Sequence, residues 1–362
     1  MKEKVCLITG ATGFIGQHAV SELVADGRKV IALGGPEANY CPAVLRDHRL
    51  KVTEGGLSAA SFTKKNEVLL QFGEISDPSF LANLFAEIEK KGWALEFVLH
   101  FAACSTIQQA IGDKEGAWRT NYDGTKALLE ESLRYYRKYP DVFKGFFYAS
   151  TDKVYGEGSS RSYQETDDLK PLPYPYDQSK AAADAYVREA AKEYALPVVV
   201  YRFCNVYGPG DYHVSRIVPG SLYRLIYRNE APLLKVYTDS AGVLHSFYRD
   251  MIYVKDLTKA ISLLLHRLEK ANDIPAGEVF NLGTENCYAM REVIATIMRC
   301  VGSVLVVQEE EVKTGEIKKQ CMNYAKLEQW LGFKPQYTLE RGLQETVAWY
   351  LRHKEEINGK FG

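Results

Sequence analysis

The sequence predicts an α/β protein in which a doubly wound parallel sheet is joined to a smaller carboxyl-terminal domain. Two observations predict this fold class. Short apolar runs alternate with helical patterns through the first half of the chain, and a glycine-rich turn follows the first apolar run. Strands that alternate with helices form right-handed βαβ units, which assemble into a mostly parallel sheet with helices on both faces.

The elements of the first half follow one another in a regular order. The predicted strands are Val5–Thr9, Lys29–Leu33, Glu67–Phe72, Phe97–Phe101, Phe146–Ser150 and Pro197–Phe203. Helical spacing of apolar residues predicts helices at Gln17–Asp26, Pro78–Lys91, Trp118–Tyr139 and Tyr176–Tyr194. The stretch Gly34–Lys65 has no clear period, and we interpret it as a long loop or a short insertion.

After Phe203 the alternation becomes less regular, and no second glycine-rich fingerprint occurs. A turn is predicted at Gly208-Pro209-Gly210. The predicted helices are Ile217–Arg228, Asp256–Arg267, Arg291–Val301 and Leu339–Lys354, and the predicted strands are Lys235–Tyr237, a strand from Phe247 onward and Glu278–Leu282. This half is therefore expected to form a smaller domain that is interleaved with the end of the first.

Composition and charge exclude several classes of protein. With 46% hydrophobic and 25% charged residues, the 362-residue chain has the composition of a globular protein and not of a disordered one. Lys and Arg total 45 and Asp and Glu total 46, so the net charge of −1 argues against binding to nucleic acid or an anionic membrane. The apolar stretches are too short to span a membrane, and no signal peptide is recognised. We therefore expect a cytoplasmic protein.

The cysteines predict neither a disulfide framework nor a metal site. They are scattered, without CxxC or zinc-ligand spacing, at Cys6, Cys41, Cys104, Cys204, Cys287, Cys300 and Cys321. Their number is odd, so reduced thiols are expected and no metal is assigned.

The glycine-rich segment Gly10-Ala-Thr-Gly-Phe-Ile-Gly16 follows a strand and opens a helix. Glycines allow a tight turn there and let backbone N–H groups approach a pyrophosphate at the positive end of the helix. The alternative is an ordinary strand–helix turn, but the βαβ context favours a dinucleotide site. We assign residues 1–204, with returning segments near 247–268, to a dinucleotide-binding Rossmann domain, and residues 205–362 mostly to an interleaved substrate-binding domain. The cofactor-binding candidates in the segment are Gly10, Thr12, Gly13, Phe14, Ile15 and Gly16.

The acid that binds the ribose hydroxyls of NAD in such sites is missing from the end of the second strand. That strand ends Ala32-Leu-Gly-Gly35, Glu37 lies slightly late, and no Arg or Lys stands where a 2′-phosphate would bind. NAD is therefore only modestly favoured over NADP. After the third strand, Glu74 and Ile75 lie where an adenine edge could be met.

Tyr176 and Lys180 lie four residues apart on a predicted helix and so share one face. A phenol titrates near 10, so a base that works near neutrality needs its pKa lowered by ~3 units, worth ~4 kcal/mol. A neighbouring ammonium group and a positively charged nicotinamide supply such a shift. A chance Tyr-x-x-x-Lys on an amphipathic helix is the alternative.

A second polar cluster, Ser150-Thr151-Asp152-Lys153, follows the apolar run Phe146–Ala149. Ligands of doubly wound sheets bind at the carboxyl ends of the strands, so a hydroxyl, a carboxylate and an amine at this point suit acid–base chemistry. An ordinary polar loop after a strand is the alternative.

Eight motifs together carry a family resemblance. They are GATGFIG, HFAA (His100–Ala103), Asn121 in NYDGT, STDK, YDQSK, RFCNVYGPGD (Arg202–Asp211), RDMIYVKD (Arg249–Asp256) and NLGT (Asn281–Thr284). In their order and approximate spacing, the chain resembles the extended short-chain dehydrogenase/reductases, and more narrowly the nucleotide-sugar epimerases and dehydratases. The resemblance spans about Val5 to Trp349.

The resemblance implies a tightly held nicotinamide cofactor and a homodimer built on a four-helix bundle, here from Trp118–Tyr139 and Tyr176–Tyr194. It also implies two sets of binding residues. Further contacts to the cofactor would come from Phe101, Ala102, Ala103, Asn121, Tyr176 and Lys180. Contacts to the nucleoside diphosphate sugar would come from Thr151, Asn205, Arg216 and Arg249, because arginine forks suit phosphate.

The pair Asp152-Lys153 points to a subfamily, because it is similar to the pair in CDP-glucose 4,6-dehydratases and in inverting UDP-N-acetylglucosamine dehydratases. The implied reaction is an internal redox dehydration. Tyr176 takes the proton of the sugar 4-hydroxyl with help from Thr151, and Lys180 holds the nicotinamide ribose. Lys153 is our candidate base at carbon 5 and Asp152 our candidate acid for the 6-hydroxyl, with Glu157 as a fallback base. The nucleotide and the sugar are left open.

Two other functions were considered. A 4-epimerase of the same family needs Thr151, Tyr176 and Lys180 but not the Asp152-Lys153 pair. A non-catalytic nucleotide sensor is disfavoured because both the tyrosine and the lysine are retained.

Several neighbouring residues also have simpler interpretations. Arg249 could instead form a salt bridge with Asp250 or Asp256. Cys104 and Cys204 are interpreted as packing thiols, and His100 as a satisfied core histidine.

Overall fold

The computed structural model describes residues 3–35, 43–57, 62, 66–158, 161–271, 273–312 and 315–360. The chain forms two compact units. The first comprises Met1–Val154, Pro173–Arg202 and Thr258–Phe280, and the second comprises Tyr155–Leu172, Phe203–Leu257 and Asn281–Gly362. Three segments of the first unit thus alternate along the chain with three segments of the second.

The strands of the described chain are β1 Lys4–Thr9, β2 Lys29–Gly34, β3 Lys51–Glu54, β4 Glu67–Phe72, β5 Ala94–His100, β6 Gly145–Thr151, β7 Val198–Phe203, β8 Asn205–Tyr207, β9 Leu233–Thr238, β10 Leu244–Ser246, β11 Tyr248–Tyr253, β12 Glu278–Leu282, β13 Cys287–Ala289, β14 Gln308–Glu311 and β15 Lys319–Gln320. The α-helices are α1 Phe14–Ala25, α2 Ala43–Asp47, α3 Pro78–Lys90, α4 Ile107–Gly112, α5 Lys114–Trp118, α6 Gly124–Lys138, α7 Pro175–Tyr194, α8 Ile217–Leu222, α9 Val254–Lys270, α10 Met290–Val301, α11 Ala325–Leu331, α12 Leu339–Arg352 and α13 Lys354–Ile357. Short π-helical turns lie at Arg119–Asp123 and Tyr223–Arg228, and 3₁₀ turns at Asp152–Tyr155 and Asn358–Lys360.

The large sheet of the described residues has eight strands in the order β12-β7-β6-β5-β1-β2-β4-β3. The pairs β1–β2, β1–β5, β2–β4, β3–β4 and β5–β6 are all parallel. The strand order reverses between β1 and β5, and ligands of doubly wound sheets bind in the crevice at such a reversal. The predicted doubly wound parallel sheet is confirmed.

The central strands and α3 show why these segments adopt these structures. All of β5 is buried, as expected of a parallel strand covered by helices on both faces. In α3, Asp77 caps the first turn by accepting from Ser79 N and Phe80 N, and Pro78 occupies the first helical position, where it needs no donor. The helix then buries one face, made of Leu81, Leu84, Phe85 and Ile88, in the main core.

The interpretation of Gly34–Lys65 as a loop or short insertion is wrong in part. Its described residues include the short helix α2 and the edge strand β3, which pairs in parallel with β4. The sequence of β3, Lys-Val-Thr-Glu, is polar and only four residues long. No buried face marks it, because an edge strand packs little of its surface.

The second unit contains two smaller sheets, one of order β10-β9-β14 and one built on β11, which pairs with β13, β15 and β8. Cys287 is the first residue of β13 and Cys321 directly follows β15; their Cα atoms lie 5.6 Å apart, and the two form a disulfide. The expectation that the thiols are reduced is therefore wrong for this pair. The two cysteines are 34 positions apart, and their spacing alone does not reveal the contact.

The other described cysteines, Cys6, Cys104, Cys204 and Cys300, are not disulfide-bonded. Among the described helices, none has the length and apolar character needed to cross a membrane.

Candidate active site

The turn between β1 and α1 requires glycine at two positions. Gly10 has a φ of +64°, and a Cβ there would lie 2.6 Å from Ala102 N. A Cβ on Gly16 would lie 2.0 Å from the carbonyl oxygen of Gly10. The backbone after β1 thus packs directly on the backbone after β5, at the reversal of strand order.

The amino-terminal end of α1 fits a dinucleotide pyrophosphate. Gly13 is the N-cap residue, with no side chain to occupy the first-turn N–H groups, and the first turn contains no acidic residue. Backbone N–H groups at a helix start, uncovered by any carboxylate, favour a bound anion. Thr12, Phe14 and Ile15 lie in this same turn, as the fingerprint predicts.

There is a steric reason why β2 does not end in an acidic residue that could bind the ribose of a cofactor. A Cβ on Gly34, the last residue of β2, would lie 2.8 Å from Thr12 Cγ2 and 3.0 Å from Phe72 Cδ1, so an acidic side chain does not fit there. Glu37, the late acid, lies outside the described residues. Glu74 follows β4 and accepts from Ser76 N and Oγ, while Ile75 is buried.

His100, the last residue of β5, is part of a buried hydrogen-bond chain. Its Nδ1 lies 2.6 Å from Thr9 Oγ1 and its Nε2 lies 2.9 Å from Thr125 Oγ1, which donates to the carbonyl of Asn121. Burial lowers the pKa of His100 to about 3, so the ring is neutral. Thr9 Oγ1 also accepts from Ala102 N. His100 therefore acts as a satisfied core histidine that fixes the segment containing Phe101, Ala102 and Ala103.

Asn121 lies in the π-helical turn before α6 and is fully buried. Its Oδ1 accepts from Cys104 N at 2.8 Å, and its Nδ2 donates to Cys104 O and to Ser179 Oγ. These bonds join the segment after β5 to α7. A direct contact of Asn121 with a cofactor stays a prediction, but its positioning role is visible in the bonds it makes.

Thr151, Asp152 and Lys153 lie at the carboxyl end of β6, where the strand passes into a 3₁₀ turn. Thr151 Oγ1 lies 3.3 Å from Asp152 Oδ1 and accepts from Lys153 N at 3.3 Å. Thr151 and Asp152 are buried, and Lys153 is half-buried. A hydroxyl, a carboxyl and an amine are thus grouped at the edge where the fold binds its ligands.

Tyr176 and Lys180 lie in the first two turns of α7, and Tyr176 is half-buried. Lys180 is only 4% exposed. Its Nζ donates to Ala149 O of β6 at 2.6 Å and lies 4.3 Å from the centroid of the Tyr148 ring. Burial lowers the pKa of Lys180 to about 7, against an opposing effect of the Asp184 carboxylate. The lysine ties the tyrosine-bearing helix to the strand that ends in Thr151.

Two residues of α7 that the sequence reasoning did not select belong to the same neighbourhood. Asp184 is fully buried, accepts from Ser150 Oγ at 2.7 Å and binds Arg202 through two hydrogen bonds of 2.8 and 3.0 Å. It therefore fixes α7 against β6 and β7. Asp184 lies four residues after Lys180 and so one turn further along the same helix face, a spacing that could have identified it from the sequence.

The other missed residue is Asp177, which directly follows Tyr176. It is fully buried, and neither carboxyl oxygen has a hydrogen-bond partner among the described residues. Burial raises the pKa of Asp177 to about 7, the charge of Lys153 lowers it, and the charge of Asp152 raises it further. Asp177 is thus electrically coupled to the Asp152-Lys153 pair.

The candidate diphosphate residues all lie in the second unit. Asn205 Nδ2 donates to Asp250 O at 3.4 Å, and Arg216 Nη1 lies 3.1 Å from Asp211 Oδ2. Arg249 is buried and pairs with Glu316 at 2.9 Å, rather than with Asp250 or Asp256. Those two aspartates instead accept hydrogen bonds from backbone N–H groups. Asp250 accepts from Thr284, Glu285 and Met322, and Asp256 accepts from Gln336 and Tyr337.

Glu157, the fallback base, accepts from Lys318 N at 3.3 Å.

The chain is similar to known proteins over almost its whole length. The chain matches the family model described as GDP-mannose 4,6 dehydratase over residues 7–346. It is 28% identical over 376 residues to the dTDP-glucose 4,6-dehydratase of Escherichia coli, which covers 96% of this chain and 94% of that protein.

Two solved structures resemble the chain to a similar degree. The dTDP-glucose 4,6-dehydratase of Bacillus anthracis in complex with NAD has a TM-score of 0.76 and 27% identity, covering 97% of this chain and 98% of that one. The UDP-glucose 4-epimerase of Thermotoga maritima with UDP-glucose has a TM-score of 0.77 and 25% identity, covering 97% and 99%.

Proposed function

Because the chain belongs to the GDP-mannose 4,6-dehydratase family, it is an NAD-dependent nucleotide-sugar dehydratase, and we propose that it converts a nucleoside diphosphate hexose into the 4-keto-6-deoxy sugar. The observation that carries the proposal is the group Thr151-Asp152-Lys153 at the end of β6, in the same unit as Tyr176 and Lys180. The tyrosine–lysine pair suits oxidation of a hydroxyl. The added carboxyl–amine pair suits elimination of water.

The residues that would hold NAD are the glycine turn Gly10–Gly16, the start of α1 and Lys180. NAD bound there would supply reversible hydride chemistry, by which carbon 4 of the sugar is oxidised and carbon 6 is later reduced. We propose NAD and not NADP, since no described residue at the end of β2 offers a cation for a 2′-phosphate.

In the first step, Tyr176 as a phenolate removes the proton of the sugar 4-hydroxyl, and Thr151 hydrogen-bonds the same oxygen. Lys180 in its ammonium form favours the phenolate, because an opposite charge nearby stabilises the charged form of an acid. A positioned base of this kind contributes roughly 10²–10⁴ in rate.

In the second step, Lys153 as a free amine removes the proton from carbon 5, which the neighbouring ketone has made acidic. Asp152 as a carboxylic acid donates its proton to the oxygen on carbon 6, and water leaves. The electron pair of the broken C–H bond forms the double bond, and the pair of the C–O bond departs with the oxygen. Each group must hold the protonation state opposite to its usual one, which requires burial and mutual coupling.

For the nucleoside diphosphate we propose Asn205, Arg216 and Arg249. The guanidinium of Arg249 is buried and donates to Glu316 Oε1, so a diphosphate would bind it in exchange for that carboxylate. Replacing Arg249 with lysine should raise KM for the nucleotide sugar far more than it lowers kcat, because only the planar fork is lost.

A 4-epimerase is the second candidate, favoured by the similarity to the Thermotoga maritima enzyme. It would use Thr151, Tyr176 and Lys180 alone. The Asp152-Lys153 pair would then have no chemical task, and this is why we place the epimerase second.

The decisive experiment is turnover in deuterated water with dTDP-, CDP-, UDP- and GDP-hexoses and with N-acetylhexosamine forms. A dehydratase gives a product that has lost one water, carries deuterium at carbon 5 and has received its new carbon-6 hydrogen from carbon 4. An isobaric 4-epimer without deuterium at carbon 5 would instead establish the epimerase. Tyr176→Phe should block both outcomes, while Lys153→Met should block only the loss of water.

We also propose that the chain works as a homodimer in the cytoplasm, with α6 and α7 forming the four-helix interface. This rests on the family resemblance and on the packing of these two helices along each other. Light scattering on the purified protein measures the oligomeric state directly.

A further inference from the structure

Asp177 is a buried acid that the reaction as described does not use. It lies in the first turn of α7, next to Tyr176, and has no exposed surface. Within the described part of the chain, no group hydrogen-bonds either of its carboxyl oxygens. A buried carboxylate with no donor is very unfavourable in its charged form, so this geometry favours the neutral acid.

The charges that act on Asp177 belong to two residues outside α7. Lys153 and Asp152 of the turn after β6 influence it with opposite signs. On α7 itself the nearest titratable groups are Tyr176 and Lys180. Helices α4, α5 and α6 and the π-helical turn Arg119–Asp123 also pack along α7, but none of their charged groups, Arg119 and Asp123 included, is among the causes that shift the pKa of Asp177. Asp177 and the Asp152-Lys153 pair therefore form one cluster of three titratable groups.

The charge on Asp177 decides which state the pair can adopt. Lys153 is a base only as a free amine, and each carboxylate beside it favours the ammonium form. With Asp177 neutral, one proton is shared between Asp152 and Lys153, so the acid–amine form needed for elimination is accessible. With Asp177 ionised, the added negative charge holds Lys153 as the ammonium ion, and the base is lost.

This inference rests on the proposed dehydratase function. We propose that Asp177 is a positioning residue for water elimination, which must carry its own proton for Lys153 to act as the base at carbon 5. The proton of Asp177 is not transferred in the reaction: it stays on the carboxyl group while Lys153 gains the carbon-5 proton and Asp152 loses its proton to the departing water.

The test compares the wild-type protein with Asp177→Asn, whose amide has the shape of the neutral acid and cannot ionise. Release of water and deuterium uptake at carbon 5 are measured from pH 6 to pH 9. Formation of reduced nicotinamide is followed separately because it measures the rate of the first oxidation. The pH dependence of that rate contains the effect of the titration of Lys180. Glu189→Gln, an exposed change on the same helix, is the matched control.

In the wild type, the ratio of the rate of water elimination to the rate of the first oxidation should fall by up to tenfold for each pH unit above 7. The reason is that the fraction of Asp177 in the neutral form falls by this factor. In Asp177→Asn the ratio should stay level over this range, and at pH 6 it should remain within a few-fold of the wild type. The Glu189→Gln control should keep the wild-type profile. The proposal would be overturned if this ratio fell above pH 7 in Asp177→Asn as steeply as in the wild type. It would also be overturned if the ratio in Asp177→Asn were lower than in the wild type by the same factor at every pH.

A second measurement does not depend on the reaction. Carboxyl ¹³C NMR of the wild-type protein should show one aspartate titrating near pH 7, and this resonance should be absent from Asp177→Asn. If Asp177→Asn does not fold, Asp177→Glu should move the titration instead. If no carboxyl titrates between pH 6 and pH 8, the inference is wrong even where dehydration is observed. If the resonance is present but no sugar loses water, the proposed function fails and the buried neutral acid stands.

Discussion

At the scale of single residues, Lys180 shows a conflict between stability and activity. A lysine that is only 4% exposed carries its charge at a cost, and burial holds its pKa near 7 instead of the usual value of 10.5. In the unfolded chain the same amine keeps its proton up to about pH 10. Between these two values the unfolded state binds more protons, so the folded state gains stability as the pH rises, and the full cost of the buried charge is present below pH 7.

Lys180→Met should therefore stabilise the fold while removing the oxidation step. We expect the free energy of unfolding to rise by roughly 2–5 kcal/mol at pH 6 and by much less at pH 9. Urea denaturation of both proteins at the two pH values measures this. A variant less stable than the wild type at pH 6 would show that the bond to Ala149 O outweighs the buried charge.

At the scale of secondary-structure elements, a fully buried ion pair is one of the contacts that hold α7 in place. Asp184 and Arg202 have no exposed side-chain surface, and Asp184 also accepts from Ser150 Oγ. Asp184→Asn should leave a charged guanidinium buried without its counter-ion, at a cost of about 3–5 kcal/mol in stability. The double variant Asp184→Asn/Arg202→Met should recover part of this loss. The exposed pair Lys170–Asp168 is the control, since Asp168→Asn should change stability by less than about 1 kcal/mol.

Helix α7 also shows which features of the structure could be predicted from the sequence and which could not. Period and spacing predicted α7, the shared face of Tyr176 and Lys180, and the polar cluster that ends β6. They could not show that Asp177 is buried without a donor or that Asp184 meets Arg202, because both depend on which neighbours the fold brings against the helix. For the same reason β3 was missed: an edge strand of four polar residues has no pattern of its own. Cys287 and Cys321 were missed because their contact joins segments 34 positions apart, and no local pattern marks it.

At the scale of the whole molecule, the chain consists of two compact units, and the disulfide Cys287–Cys321 lies in the second. Closing a loop of 34 residues restricts the unfolded chain, which in the chain-entropy model is worth roughly 3–4 kcal/mol. The double variant Cys287→Ser/Cys321→Ser should therefore lower the protection of backbone amides in β11, β13 and β15 against hydrogen exchange. Amides of β1 and β5 in the first unit should be unaffected, and Cys300→Ser, which changes a free thiol, should alter neither set.

The crowding of Gly34 by Thr12 and Phe72 has a consequence for the engineering of coenzyme preference. A side chain placed at position 34 to restore the usual acid at the end of β2 collides, whereas a Cβ on the next residue, Gly35, would have no contact within 4 Å among the described residues. Gly35→Asp should tighten NAD relative to NADP, because a carboxylate bonds ribose hydroxyls and repels a 2′-phosphate, and Gly35→Arg should shift the ratio the other way. Gly34→Asp should weaken both coenzymes together, as titration of each variant with NAD and NADP would show. Selectivity in this protein is thus adjustable one residue beyond the place where the fold family usually sets it.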